Sequence, residues 1–372
     1  MPSLIHHIKK FDWLLMGAIL LLMLLGLISL FSLMETSASP FFYRQLIWAG
    51  VGLFMLVALS VVDFRIFRTQ SFAIFVFYML TILILVVLFV IQLKVRGVAS
   101  WLNFGFFSFQ PVELTKLTLI ILLAKFFSKR HREIYRIEHL IVSGMYVAIP
   151  TFLVLLQPDL GSSIVLMAIW ISVALFSGMK LRHFVLLAII FSVLSYGVWH
   201  AGLKPYQKAR ITTFLNPYAD AKGAGYQMIQ SMIAVGSGKM WGKGLGYGSQ
   251  SHLNFLPEAE ADFVFAAFAE EWGFVGSVTM MALLSIILWR IVGIGSGSAD
   301  NFSRLYTLGF AAFIFTQSFI HIGANMGVLP ITGITLPFAS YGGSSMVILL
   351  MGVGIVQNIK MNARRVITQD AG

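Results

Sequence analysis

No cysteine occurs anywhere in the 372 residues, so the chain has no disulfide, no thiolate nucleophile and no cysteine-ligated metal. Charge is nearly as scarce, with Asp, Glu, Lys and Arg making up 11% of the chain. Soluble domains carry about 25%. A soluble chain built from this composition would leave large apolar patches in water, which excludes an ordinary soluble domain. Acids are scarcer than bases, 15 against 26, and the net charge is +11. Those bases are scattered through short loops rather than gathered into one patch. That pattern argues against nucleic-acid binding and fits basic loops on the cytoplasmic side of a membrane.

What the chain has in abundance is hydrocarbon. Hydrophobic side chains account for 58% of it, and its mean hydropathy is +0.87. Apolar runs of about 20 residues, the length a helix needs to cross a bilayer, recur from end to end. The sequence therefore predicts an all-α polytopic membrane protein, one transmembrane domain over residues 1–372 with about ten helices. They run from Trp13 to Met34, Gln45 to Val62, Ser71 to Gln92, Pro111 to Phe127, Leu140 to Leu156, Pro158 to Gly178, Phe184 to Gly202, Asp262 to Ile294, Ser303 to Gly323 and Gly343 to Ile359. The first run is longer than the roughly 7–15 residues of a cleaved signal's apolar region, so it reads as a retained helix.

An even number of spans puts both termini on one side. Lys9, Lys10, Arg65, Arg68, Lys129, Arg130, Arg132, Arg136, Lys180, Arg182, Arg364 and Arg365 fall on that side, which the positive-inside rule makes cytoplasmic. The loop of about 203–261, between helices 7 and 8, is then extracytoplasmic, since long loops obey the charge rule poorly. Asp262 falls at the outer membrane surface. It follows Pro257, Glu258 and Glu260 at the seam between a polar loop and an apolar run. Charges near bilayer depth are expensive and usually face protein interior or a wet cavity, which makes Asp262 the leading site residue.

Other polar groups are expected on the same face. Pro111 suits the first position of a helix. Glu113 and Lys116, three apart, then share one face, either as an ion pair that shields both charges or as part of a site. In Gln157-Pro158-Asp159, Pro158 is expected to open a helix. Asp159 is either a helix-start device or a working carboxylate. The stretch Gly236-Ser237-Gly238-Lys239-Met240-Trp241-Gly242-Lys243-Gly244 is dense in glycine and lysine. It is either a flexible loop or a phosphate-approaching one, but it lacks the Walker A pattern, so no nucleotide site is expected. Proline and paired glycines between Gly333 and Ser345 suggest a broken segment at membrane depth, tolerated where it is buried in protein or lines a cavity. Gln317 and His321 read as interhelical hydrogen-bond partners. Glu270, about two turns from Asp262, reads as a structural acid, with Glu271 pointing elsewhere.

The blocks FQPVELTKL, QPDLGSS, GAGYQMIQSMIAVGSG, GKGLGYGSQ, NFLPEAEADFVFAAFAEEWG and LPFASYGGSS, in this order, resemble the shape, elongation, division and sporulation family of bacterial membrane proteins over essentially the whole chain. Short segments before the first span and after the last point to the elongation branch, with the division branch as its sister group. The sequence departs from the family pattern at Ala261 (usually threonine), Ser100 (arginine), His321 (asparagine), Lys239 (glycine) and Asn216 (aspartate). The charged set Glu113, Lys116, Asp159, Arg210 and Asp262 is intact.

The resemblance implies a peptidoglycan glycosyltransferase that polymerises lipid II, the undecaprenyl-pyrophosphate-linked disaccharide pentapeptide, during cell elongation. Its implied partners are a class B penicillin-binding protein and the elongation machinery. Asp262 is the implied catalytic residue, a general base for a sugar hydroxyl. Lys116 and Arg210 are candidates to stabilise the leaving pyrophosphate. Glu113, Asp159, Trp101, Gln110, Ser340 and Tyr341 complete the substrate-binding set. The donor is already activated, so no nucleotide is needed. A divalent cation, magnesium or manganese, held by Glu113 or Asp159 would add positive charge, although no compact ligand spacing marks a metal site. The rival reading is a lipid II flippase, which needs charged residues deep in several spans and at the inner mouth.

Overall fold

The structure, a computed structural model, describes residues 10–34, 41–62, 70–94, 101–103, 108–130, 137–180, 182–186, 212–220, 223, 225–253 and 255–369, with 189, 192, 197 and 208 as isolated positions. Arg210 and most of the expected helix from Phe184 to Gly202 lie outside these residues.

The described chain is a helical bundle. Its long elements are α1 (Trp13–Met34), α2 (Phe41–Val61), α3 (Ser71–Lys94), α4 (Pro111–Lys129), α5 (Ile137–Leu156) and α6 (Leu160–Phe176), then α9 (Val264–Ser296), α10 (Asn301–Asn325) and α11 (Gly343–Gln369). Between α6 and α9 come α7 (Tyr226–Ser237) and the single turn α8 (Ser249–His252). A two-stranded antiparallel hairpin, β1 (Leu102–Asn103) with β2 (Ser108–Phe109), precedes α4. Seven of the described helices are long and apolar enough to cross a membrane. The count of about ten is not settled among the described residues.

Local chemistry explains where the helices start. Pro111 opens α4, where its missing N–H costs nothing. Asp159, rather than Pro158, marks the start of α6: its carboxylate accepts from the Ser162 amide at 2.8 Å, and the helix begins one residue later. Asp300 caps α10 in the same way, accepting from the Ser303 amide at 3.0 Å.

α4 and α10 form the centre. All but one residue of α4 from Pro111 to Phe127 is buried, and α10 packs on α4, α6 and α9. α2 lies along α11, where Gly354 sits so close to the Leu56 backbone that a Cβ there would collide with it. At the end of the bundle opposite Asp262, buried Asp12 accepts from Lys360 Nζ at 2.5 Å and from the Arg290 guanidinium. The Gln357 side chain pairs with the Asp12 backbone, donating at 3.3 Å and accepting at 2.8 Å. This cluster ties α1, α9 and α11 together. Burial pushes Asp12 up, but the two cations outweigh it and hold the carboxyl at about 2.

α9 is broken at Gly273, whose φ of 66° and ψ of −160° are not helical. Free backbone groups in a membrane span must be paired inside the protein. Here the glycine-rich loop pairs them. Lys243 and Gly244 amides donate to the Glu270 and Glu271 carbonyls, both at 3.0 Å, while the Phe274 and Val275 amides donate to Lys239 and Met240 carbonyls at 2.8 and 3.2 Å. Gly242, at φ 81°, lies against the Glu271 carbonyl, where no side chain fits.

Candidate functional site

A cavity of about 290 Å³ opens at the Asp262 end. α2 contributes Phe41, Arg44 and Trp48, and the hairpin contributes Trp101 and Ser108. Gln110 and Glu113 come from the start of α4, and Ser162 from the start of α6. The remaining wall is the turn before α9, with Glu258, Glu260 and Asp262, and the segment before α11, from Gly333 to Thr335 and Tyr341 to Gly343. Of the residues singled out from sequence, Asp262, Glu113, Trp101, Gln110 and Tyr341 are thus brought to one space. A second cavity of about 360 Å³, lined by Thr213, Phe214, Gln227, Met228 and Ile331, meets the first at Asp262 and Gly333.

Asp262 sits in a turn rather than in the helix expected to begin there: α9 starts at Val264, with Phe263 as its cap. The Asp262 amide donates to the Glu258 carbonyl at 3.0 Å. Asn325 at the end of α10 fixes the junction, its Nδ2 donating to the Asp262 carbonyl at 3.0 Å and its Oδ1 accepting from the Ala266 amide at 2.9 Å. Glu260 is half-buried, and burial together with the negative charge of Glu258 pushes its carboxyl above the usual range.

Glu113 and Lys116 form a buried ion pair, Nζ to Oε1 2.6 Å, with side-chain exposures of 4% and 0%. Lys116 also lies 5.5 Å from the Phe313 ring centroid. Lys116 does not line the cavity, whereas its partner Glu113 does, and Glu113 Oε2 is buried without a hydrogen-bond partner. Asp159 is the cap of α6 and does not line the cavity either; its neighbour Ser162 does.

Ser340 is a brace. Its hydroxyl donates to the Ala261 carbonyl at 2.8 Å and accepts from the Leu336 amide at 2.8 Å. The Tyr341 amide donates to the Glu260 carbonyl at 2.9 Å, so the segment before α11 and the turn before α9 are stitched together. That segment is buried in protein: Leu336, Phe338 and Ala339 are at most 2% exposed. Gln317 Nε2 donates to the Thr335 carbonyl at 3.0 Å, and His321 Nδ1 pairs with the Ile334 carbonyl at 2.6 Å. They hold this segment rather than another helix.

The glycine-rich loop is neither slack nor a phosphate cradle. Lys243 Nζ is committed to Glu270 Oε1 at 2.7 Å, and Glu270 also accepts from the Gln250 and Ser251 amides at 3.0 and 3.2 Å. Glu271 accepts from the Gly246 amide at 3.1 Å and pairs with His252 Nε2 at 2.9 Å. Two adjacent acids on α9 therefore clamp one loop. Among the described residues no group of three or more His, Asp or Glu side chains is placed to hold a metal ion. The free Glu113 oxygen is a single ligand.

Sequence reasoning missed Arg44, Trp48, Ser162, Glu258 and Thr335 on the cavity wall. Arg44-Gln45 near the start of an apolar run was the available signal, because an arginine at such a boundary faces either headgroups or a site.

The arrangement matches known proteins along its whole length. Residues 9–365 match the sequence profile of FtsW, RodA and SpoVE, described as cell cycle protein. The chain belongs to that family. It is 38% identical over 361 residues to stage V sporulation protein E of Bacillus subtilis, covering 95% of this chain and 98% of that protein. It is 33% identical over 346 residues to the peptidoglycan glycosyltransferase MrdB of Escherichia coli K12, covering 91% and 92%.

Among solved structures, a chain from work on structural coordination of polymerization and crosslinking by a peptidoglycan synthase complex superposes with a TM-score of 0.79 at 31% identity, covering 95% and 98%. RodA of Thermus thermophilus superposes at 0.70 with 27% identity, covering 95% and 97%. With the seven apolar helices, these likenesses make this family member an integral membrane protein.

Proposed function

We propose that the chain is a peptidoglycan glycosyltransferase that polymerises lipid II at the outer face of the bacterial cytoplasmic membrane, in the elongation branch of its family. The observation that carries this reading is that two cavities meet at one carboxylate, Asp262. Joining two lipid-linked sugars requires a place for each and a proton acceptor between them. A sugar 4-hydroxyl attacks the anomeric carbon of the partner, its proton passes to the Asp262 carboxylate, and the carbon–oxygen bond to pyrophosphate breaks with the electron pair leaving on phosphate. A positioned base contributes about 10²–10⁴-fold to such a step.

Glu113 lines the first cavity, and its carboxylate can accept a hydrogen bond from a sugar hydroxyl. Trp101, Trp48 and Tyr341 offer faces on which a sugar ring can stack. Arg210, in the long loop, and a divalent cation remain part of the proposal as charge for the pyrophosphate. Relatives named as glycosyltransferases support the reaction class, and the synthase-complex structure supports pairing with a class B penicillin-binding protein. The basic residues gathered on one side of the spans support a cytoplasmic position for both termini.

A lipid II flippase is the second reading. Against it, the charges at the opposite end of the bundle, Asp12, Arg290 and Lys360, are paired with one another. The discriminating experiment reconstitutes the chain with its class B partner, transpeptidation blocked, and supplies fluorescent lipid II on both leaflets. Glycan polymer establishes the synthase. Lipid II crossing leaflets with no polymer establishes the transporter.

A further inference from the structure

The cavity has more acid than base. Among the described residues lining it, Glu113, Glu258, Glu260 and Asp262 face a single cation, Arg44. Lys116 is spent on Glu113, out of contact with the space. Arg44 makes no hydrogen bond or ion pair with another described residue, although it stands in the first turn of α2 beside four carboxylates. A guanidinium left uncommitted at such a place is available to an incoming anion, and its planar fork suits the two oxygens of a phosphate.

A second feature points the same way. α11 begins at Gly343, on the wall of the same cavity. The Gly343, Ser344 and Ser345 amides find no acceptor among the described residues. Free amides at a helix start, with the positive end of the helix dipole behind them, attract phosphate. Gly343 lies against the Trp48 indole so closely that a Cβ would collide with it, which keeps the backbone bare. Glu113 lines the same wall, and its Oε2 is buried without a hydrogen-bond partner, a polar group left for a guest to satisfy.

We propose that Arg44, with the start of α11, forms the phosphate subsite of this cavity, and that its guest is the pyrophosphate of a prenyl lipid. This rests on the synthase reading for the identity of the lipid, but not for the subsite itself. In the reaction above, Arg44 would grip the phosphate oxygens on which charge builds as the sugar–oxygen bond breaks.

The test uses the full-length chain in nanodiscs, as wild type, Arg44→Gln and Arg44→Lys, with thermal unfolding as the folding control. Binding of farnesyl pyrophosphate, inorganic pyrophosphate and phosphatidylglycerol is titrated on each, and lipid II polymerisation is measured in parallel with the class B partner present. A charge-assisted bidentate contact is worth about 10- to 100-fold in affinity. The expected result is farnesyl pyrophosphate binding weakened by that factor in Arg44→Gln and by less in Arg44→Lys, with inorganic pyrophosphate competing. The polymerisation KM and kcat should both suffer in Arg44→Gln.

Equal prenyl pyrophosphate binding by wild type and a folded Arg44→Gln overturns the subsite. Arg44-dependent binding of phosphatidylglycerol in place of the prenyl ligand overturns the assignment of the guest. Arg44-dependent pyrophosphate binding by a wild type that makes no polymer upholds the subsite and removes the synthase.

Discussion

Replacing Lys116 with methionine keeps the length and burial of the side chain and removes its charge. The ammonium is fully buried and 2.6 Å from a carboxylate that is only 4% exposed. At an effective dielectric of about 20, that separation corresponds to roughly 6 kcal/mol of attraction, much of it offset by desolvating both ions. Breaking one partner of such a pair costs about 3–5 kcal/mol, because the other charge is stranded. Lys116→Met should therefore lower the thermal midpoint in detergent markedly. Adding Glu113→Gln should recover most of the loss, a coupling of about 2 kcal/mol or more.

Polymer synthesis should behave differently. It should be lost in the single and double variants alike, because Glu113 lines the cavity and either change removes the ion pair that fixes its carboxylate there. A Lys116→Met protein as stable as wild type would refute the reasoning, as would a double variant no better than the single one. So would normal synthesis by the double variant.

Two further expectations concern stability. Gly242→Ala should expose the loop 239–253 to limited proteolysis and cost more than about 1–2 kcal/mol, since a Cβ meets the Glu271 carbonyl. Gly246→Ala, with the same φ of 81° but open space, should cost only the backbone strain, about 1 kcal/mol. Asp12 has its carboxyl depressed from 3.8 to about 2, so its contribution is fully present above about pH 4 and lost as pH falls through 2. The thermal midpoint of wild type should exceed that of Asp12→Asn at pH 6, with the gap, worth about 2 kcal/mol, closing between pH 4 and 2.

The spans were legible because hydrocarbon thickness fixes their length: Trp13–Met34 is the first helix to the residue, and the other described spans differ from expectation by a few residues at each end, except that the last helix runs ten residues past the expected Ile359, to Gln369. α7 was not seen, although Met228, Ser231 and Ala234 recur every third residue on its buried face. A search for apolar runs overlooks a twelve-residue helix in a polar loop. The break at Gly273 was invisible for a different reason. The groups that make it tolerable, on 239–244, lie about thirty residues away, and no local pattern reports a hydrogen bond across that distance.

Asp262 stood out as a carboxylate at a boundary, and the structure brings it to two cavities. Ser340 and Asp159 stood out equally, yet the first braces the Ala261 carbonyl and the second caps α6. A polar residue at membrane depth announces that something needs it, not whether that something is substrate or backbone.

The measurement that bears most directly on the account is glycan polymerisation from labelled lipid II by the chain with its class B partner, transpeptidation blocked, comparing wild type with Asp262→Asn. The substitution keeps size and hydrogen-bonding capacity and removes the base, and folding is checked by the thermal midpoint. The account predicts long polymer from wild type and a loss of about 10²-fold or more from the variant. Equal polymer from a folded Asp262→Asn protein would contradict it.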